Sequence, residues 1–363
     1  MTLPSGFDNP LTIRYQELAQ AHTPAVIKEG LRATYVIVTG SSDITRSGEV
    51  AYLGGGAGEG LVQVTVVALE EGKAATWTES FSPDPANGGM KKVNIYGSVN
   101  PAGCGDFWCN PQVLRAIPER AGGDLTVDRG TYELDGKNYD VIRFYYQSEG
   151  ISMGMIYDLD TGILLHHTAD FTSRLPDDKG GMIRRGQNAI IRLSNLRQIN
   201  IPWLDGSVPS WVVPGTTLFF QGHHYFWMPQ LPDVAPSVAS LSVELQIQAA
   251  HRRFAEGRQQ TYTAEAVQPA YVPMVSGIAQ LMGFWVPEEA LSLQPGTIDY
   301  DPATGMTVSI VERGPYGLVM EETNNINYKL TAYYDARGKV VQTDRETYSG
   351  TATGQRDMLQ IVE

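Results

Sequence analysis

The chain has 363 residues, 42% of them hydrophobic and only 18% charged, with a formal net charge of −13. Such a chain can bury cores of two-domain size. The acidic balance excludes a polyanion partner such as nucleic acid, because phosphate contacts need clustered Lys and Arg. The adjacent basic pairs Lys91-Lys92, Arg184-Arg185 and Arg252-Arg253 read as solvated faces. No apolar run approaches the roughly 18 residues of a transmembrane helix.

Residues 1–24 form an N-terminal segment, with helical spacing from Pro10 to Gln20 and again from Ala25 to Leu31. The start lacks the basic, then apolar, pattern of a leader, and the chain is read as a mature form whose leader is absent. The first β module is expected over 25–175. Gly54 to Gly60 reads as a hairpin loop, since a phosphate cradle needs a helix after it. Leu61 to Ala68 alternates as a strand. Cys104 and Cys109 flank a flexible Gly105 and predict a small disulfide loop, stabilising by about 2 kcal/mol. That bond places the chain outside the cytoplasm, periplasmic or secreted.

Pro111 to Ile117 fits a short helix opening with Pro. Asp135-Gly136 is a hairpin turn before the strand Tyr139 to Tyr146. Gly150-Ile151-Ser152-Met153-Gly154 has the spacing of a nucleophile elbow. Strand rather than helix follows it, so Ser152 is not expected to be catalytic. Asp158-x-Asp160-x-Gly162 lacks the later ligands of a calcium loop and reads as a turn. His166 and His167 are adjacent on a strand and so point to opposite faces.

Residues 176–211 read as a linker, with an exposed turn at 176–181. The second module is expected over 212–350, followed by a tail at 351–363. It opens with an aromatic, His-rich run: Phe219, Phe220, His223, His224, Tyr225, Phe226 and Trp227. Val243 to Ala255 is ambiguous between strand and helix, and Pro287 to Leu293 fits one or two helical turns. A metal site would have to combine both His pairs. Neither a metal nor a cofactor is expected.

The two modules read as copies of one another. Phe107-Trp108 and Phe284-Trp285 lie 177 residues apart, as do Pro118 and Pro295, and Tyr157-Asp158 and Tyr334-Asp335. Upstream, Leu61 to Val67 resembles Leu241 to Ile247, and Thr76-Trp77-Thr78 resembles Thr261-Tyr262-Thr263. The fold class is therefore mainly β, with minor α: two tandem homologous modules, each a curved antiparallel sheet or open barrel with a short helix.

Tyr132 to Ile142, followed by Ile156-Tyr157-Asp158-Leu159-Asp160-Thr161-Gly162-Ile163-Leu164-Leu165, resembles the late strands of the LolA/LppX-type lipoprotein-carrier superfamily. The resemblance implies an exported open barrel with an apolar ligand in its concave face. Two functional readings follow. The first is an exported, non-catalytic binding or structural protein, with a concave apolar surface for a lipophilic small molecule or an interface for self-assembly. The second is an enzyme on a small or apolar substrate, with a site between the modules drawing on His166, His167, His223 and His224. In either reading Phe219, Phe220, His223, His224, Tyr225 and Trp227, with His166 and His167, are expected to line a ligand or partner surface, the aromatic run at the seam between modules.

Overall fold

The computed structural model describes residues 11, 14–47, 50–176, 182–228, 234–263, 270–314, 317–349 and 352–362. Period-two alternation governs nearly all of it. Strands β1 (Leu31–Ser47), β2 (Val50–Glu70), β3 (Lys73–Pro83) and β4 (Met90–Pro101) form an antiparallel meander. An insertion follows, made of the two-stranded ribbon β5 (Cys104–Gly105) and β6 (Trp108–Cys109) and a helix, Pro111–Ala116. A second meander, β7 (Leu125–Leu134), β8 (Lys137–Ser148), β9 (Ile151–Asp158), β10 (Leu164–Pro176) and β11 (Met182–Gln198), brings β11 back beside β1. The resulting sheet has the order β4-β3-β2-β1-β11-β10-β9-β8-β7.

The second sheet repeats this wiring. Its strands are β12 (Thr217–Phe226), β13 (Ser237–Ala250), β14 (Phe254–Thr263), β15 (Ala270–Gly277), β16 (Gly296–Tyr300), β17 (Thr307–Gly314), β18 (Gly317–Thr323), β19 (Tyr328–Asp335), β20 (Val340–Ser349) and β21 (Ala352–Ile361). Their order is β15-β14-β13-β12-β21-β20-β19-β18-β17-β16, so the last strand again closes onto the first and one extra edge strand, β16, is added. Both sheets stay open.

The repeat extends to individual hydrogen bonds. Leu164 N donates to Phe107 O as Val340 N does to Phe284 O; Cys109 N donates to Gly162 O as Val286 N does to Gly338 O. Trp108 bridges to Ile163 and Trp285 to Lys339, and both indoles are buried wedges on their own cores. Gly162 and Gly338 hold the same left-handed turn, at φ 78° and 72°, where an added Cβ would strike the carbonyl of the wedge strand.

Several expectations are corrected. Cys104 and Cys109 are not disulfide-bonded: their sulfurs are 3.1 Å apart, against about 2.05 Å for a bond. Cys109 occupies the slot that Val286 fills in the second module, and burial pushes its thiol well above the usual range, so it acts as a small apolar side chain. The glycine run 54–60 is not a loop but the middle of β2, paired with 37–43. The 176–211 stretch contributes β11, and Ile199, Ile201 and Trp203 join the second core. The 351–363 tail contributes β21, and Val243 to Ala250 is strand. The turn at 177–181 lies outside the described residues, as do Pro10, Thr12 and Ile13 of the expected first helix. Within that helix, α1 (Gln16–Gln20) seats Leu18 against the first module's core.

The upstream repeat also shifts by one. A β-bulge between Val66 and Ala68 matches one between Ile247 and Ala249, which sets the offset there at 181, not 180. Trp77 consequently matches Arg258 rather than Tyr262. A one-residue slip exchanges the two faces of a strand, so Leu61 is equivalent to Ser242 and not to Leu241.

The modules nest. The face of β1–β4 turned away from the first core packs on the second module. Leu61, Phe81, Met306 and Tyr328 make one buried cluster across the seam, with Val36, Met90 and Leu330 beside it. Val67, Ala68 and Ala75 make another with Phe254 and Val275. Backbones come close: a Cβ on Gly97 would lie 2.6 Å from Val275 Cβ, and one on Gly277 2.6 Å from Val67 O. Among the described residues no helix is long and apolar enough to cross a membrane.

Candidate functional site

The seam holds a buried ionic cluster. Lys92 Nζ lies 2.6 Å from Glu79 and 2.7 Å from Glu322, with the three side chains only 4%, 8% and 9% exposed. Arg32 reaches Glu79 at 3.4 Å and Asp301 at 3.2 Å, and Gln63 donates to Asp301 at 2.6 Å. Arg197 pairs with Asp299 at 2.6 Å. Lys92 also sits over the Phe81 and Tyr328 rings, at 5.7 and 5.3 Å. Burial would raise Glu79, but Lys92 and Arg32 overcome it and hold the carboxyl below its usual range. Burial works the same way on Asp301, where Arg32, the Gln63 hydrogen bond and Arg197 prevail. Lys92 is raised above its ordinary value: its two carboxylate partners outweigh the burial that opposes its charge.

Every one of these charges is answered by another, so the cluster is a lock between modules. The Lys91-Lys92 pair was read as a solvated face; Lys92 is instead the centre of that lock. A cavity of about 40 Å³ lies beside Arg32, Glu79 and Asp301, room for a water or so. Gln280 in its wall keeps an unbonded Oε1.

The aromatic run of β12 is not at this seam. β12 is central in the second sheet, between β13 and β21, and alternation divides its side chains. Phe220 is buried in the second core. His224 shares that face further along, where its Nδ1 lies 2.5 Å from Asp357 Oδ1. On the opposite face Phe219, His223, Tyr225 and Trp227 follow one another. His223 and Tyr225 meet edge to face at 6.0 Å, and Tyr225 stacks on Trp227 at 5.8 Å.

That opposite face carries a groove of about 510 Å³ lined by His223, Tyr225, Ser240, Ser242, Gln221 and Gln360, together with Gln342 and Met358. All of its walls belong to the second module. Register explains its floor. Ser242 pairs with Gln221, Gln221 with Gln360 and Gln360 with Gln342. Tyr262 pairs with Ser242 at one end and Tyr333 with Gln342 at the other. One cross-strand row therefore runs Tyr262–Ser242–Gln221–Gln360–Gln342–Tyr333 over six neighbouring strands. It spans roughly 24 Å at about 4.8 Å per strand.

The equivalent row in the first module is Phe81–Leu61–Val36–Arg192–His166–Ile156. Its first three members are seam residues, packed on the second module. The same face that docks in one copy is uncovered and polar in the other.

The remaining expected site residues stay apart. His166 accepts or donates a 3.0 Å hydrogen bond with Tyr132 Oη and lies across from Arg192; burial and that Arg lower its pKa. His167 faces the first core between Met155 and Ile191, where burial, then His166, brings it down to about 4. The two His pairs thus belong to different sheets and share no site. Among the described residues no group of three or more His, Cys, Asp or Glu is placed to hold a metal. Ser152 lies on β9 opposite Asp170, with no helix after it.

Sequence reasoning named His223, Tyr225 and Trp227 but missed Ser242, Gln221, Gln342 and Gln360. Glutamines carry no motif; the signal that finds them is the repeat read at the bulge-corrected register, where Leu61, Val36, Arg192 and His166 become Ser242, Gln221, Gln360 and Gln342. In comparisons with known proteins, no family model matches this chain and no curated protein matches it.

Proposed function

We propose that this protein is a non-catalytic recognition protein that presents its ligand surface on the outer face of the second sheet. The observation that carries this reading is the substitution of an entire row. Duplicated modules share their wedges, turns and bulges because the fold demands them. The row that docks in the first module is replaced, in the second, by uncharged hydrogen-bonding side chains and tyrosines, with His223, Tyr225 and Trp227 beside it. Packing requires none of these, since they sit opposite the core. Aromatic side chains next to convergent polar groups are the composition of binding sites.

The apolar inner faces expected to hold a lipophilic molecule are otherwise engaged. Leu11, Leu18 and Leu114 fill the first, and the second buries Trp285 and Phe284 beneath its own strands. The disulfide argument for export no longer applies, so the reading is independent of compartment.

The test uses Trp227, which stacks on a groove residue. Tryptophan emission of the native chain is compared with that of Trp227→Phe while sugars, nucleotides, amino acids and fatty acids are added in turn. One class should change the wild-type signal and leave the variant's unchanged. If no class does so, or if the class that binds is chemically converted, the reading falls.

A further inference from the structure

Three places in the molecule carry chemistry that packing alone does not explain: the ionic lock, the small seam cavity and the groove. In the first, every charge is paired: Arg32–Asp301, Lys92–Glu322 and Arg197–Asp299 across the seam, and Glu79 with Lys92 and Arg32 inside the first module. The second has room for little more than water. The groove is different: among the described residues, the side chains of its three glutamines and Ser242 have no hydrogen-bond partner.

Resting on the recognition reading above, we infer that the groove binds a neutral, hydroxyl-rich ligand, an oligosaccharide laid across the strands along Tyr262–Ser242–Gln221–Gln360–Gln342–Tyr333. Among the described residues, the side chains of Ser242, Gln221, Gln360 and Gln342 form no hydrogen bond to another side chain or to the backbone, while neighbouring polar groups are engaged. Tyr262 Oη donates to Glu244, Arg258 to Gln246, and Arg356 to Asp344 and Glu346. Each amide offers two donors and an acceptor, and each hydroxyl one donor and two lone pairs. A sugar hydroxyl is likewise both donor and acceptor, so a row of such groups matches it in either orientation.

Charge argues for the same class. Among the described residues no Lys or Arg lines the groove, and the nearby Arg356 is paired with Asp344 and Glu346, which leaves no counter-charge for a phosphate or a peptide carboxylate. A lipid would leave three amides dry, at the cost of their hydration. The bland alternative is a polar cap that keeps an otherwise sticky face in solution. Charged side chains do that best, and this row has none. Its tyrosines, one at each end about 24 Å apart by strand spacing, offer flat apolar faces against which the C–H faces of a pyranose can stack.

The experiment is affinity electrophoresis of the full chain through native gels containing hydroxyethylcellulose, soluble starch, arabinoxylan, galactomannan or laminarin, with polygalacturonate as the charged comparison. At least one neutral polymer should retard the protein, and about 0.5 M NaCl should leave that retardation intact. Gln221→Ala with Gln360→Ala should weaken it by roughly tenfold or more, with the melting temperature unchanged because both positions are exposed. Should that pair melt early, Gln342→Ala is read in its place. No retardation by any neutral polymer, retardation by polygalacturonate alone, or equal retardation of wild type and variants overturns the inference. A nucleotide or fatty acid that moves Trp227 emission would then leave the recognition reading standing and remove only the glycan; silence from every class removes both.

Discussion

Lys92 stands between Glu79 and Glu322 with almost no access to water, so its energetics depend on its partners rather than on solvent. Lys92→Met leaves Glu322 without its cation and Glu79 with Arg32 alone, and is expected to cost about 3–5 kcal/mol in denaturant titration. Replacing all three residues with Met and Leu side chains should recover most of that loss, because desolvation of the ions disappears together with their attraction. A triple variant as unstable as the single one contradicts this.

Acid should act in two steps. His167 has a depressed pKa of about 4 against an ordinary 6.5, so the unfolded chain takes up its proton first. Stability falls as pH drops through that window, by at most about 1.4 kcal/mol per pH unit for one group. Glu79 and Asp301 are held below their usual range. Their contribution is complete above roughly pH 4, the unfolded value, and is lost as pH falls through the lower folded one. His167→Leu should abolish the first step and leave the second, read as unfolding free energy against pH.

The elements repeat more faithfully than the residues do. Strand order, wedge, the short helical turn (Pro111–Ala116 and Glu288–Ser292) and the bulge in β2 and β13 recur, and the part of this carried by Trp, Tyr and Pro was legible in the sequence at an offset of 177. The part carried by Val, Leu and Thr was not. An alternating strand looks alike at two neighbouring offsets, and only the bulge, a backbone feature, separates them. The glycine run 54–60 misled for a related reason: glycine marks loops by its freedom, yet here it is paired along its whole length. Contacts between elements of different modules leave still less trace. Gly97 is small because β4 passes against β15 there. Gly97→Val should overpack that crossing and cost about 1–3 kcal/mol, with protease cleavage appearing between the modules; an unchanged melting temperature contradicts the close approach.

At the scale of the whole molecule, one module's outer face is spent on docking and the other's is exposed. This asymmetry explains why the aromatic run lies away from the seam where it was expected. The seam is closed by apolar packing and paired charges, and the described walls of the groove all belong to the outer face of the second sheet. It also explains why the first module lacks a counterpart to the groove: Val36 and Leu61, the equivalents of Gln221 and Ser242, are covered by Met306 and Tyr328.

The most direct test of this arrangement follows the chain's six tryptophans by fluorine NMR after labelling with 5-fluorotryptophan. Trp227 reports on the groove through Tyr225, Trp77 on the seam cavity it lines, and Trp108 and Trp285 on the two cores. Each line is assigned by a Trp→Phe variant. On saturation with the polysaccharide that retards the protein most, the account predicts that the Trp227 line shifts while those of Trp77, Trp108 and Trp285 hold still. A shift of Trp77 with Trp227 unmoved would place binding at the seam and contradict the account.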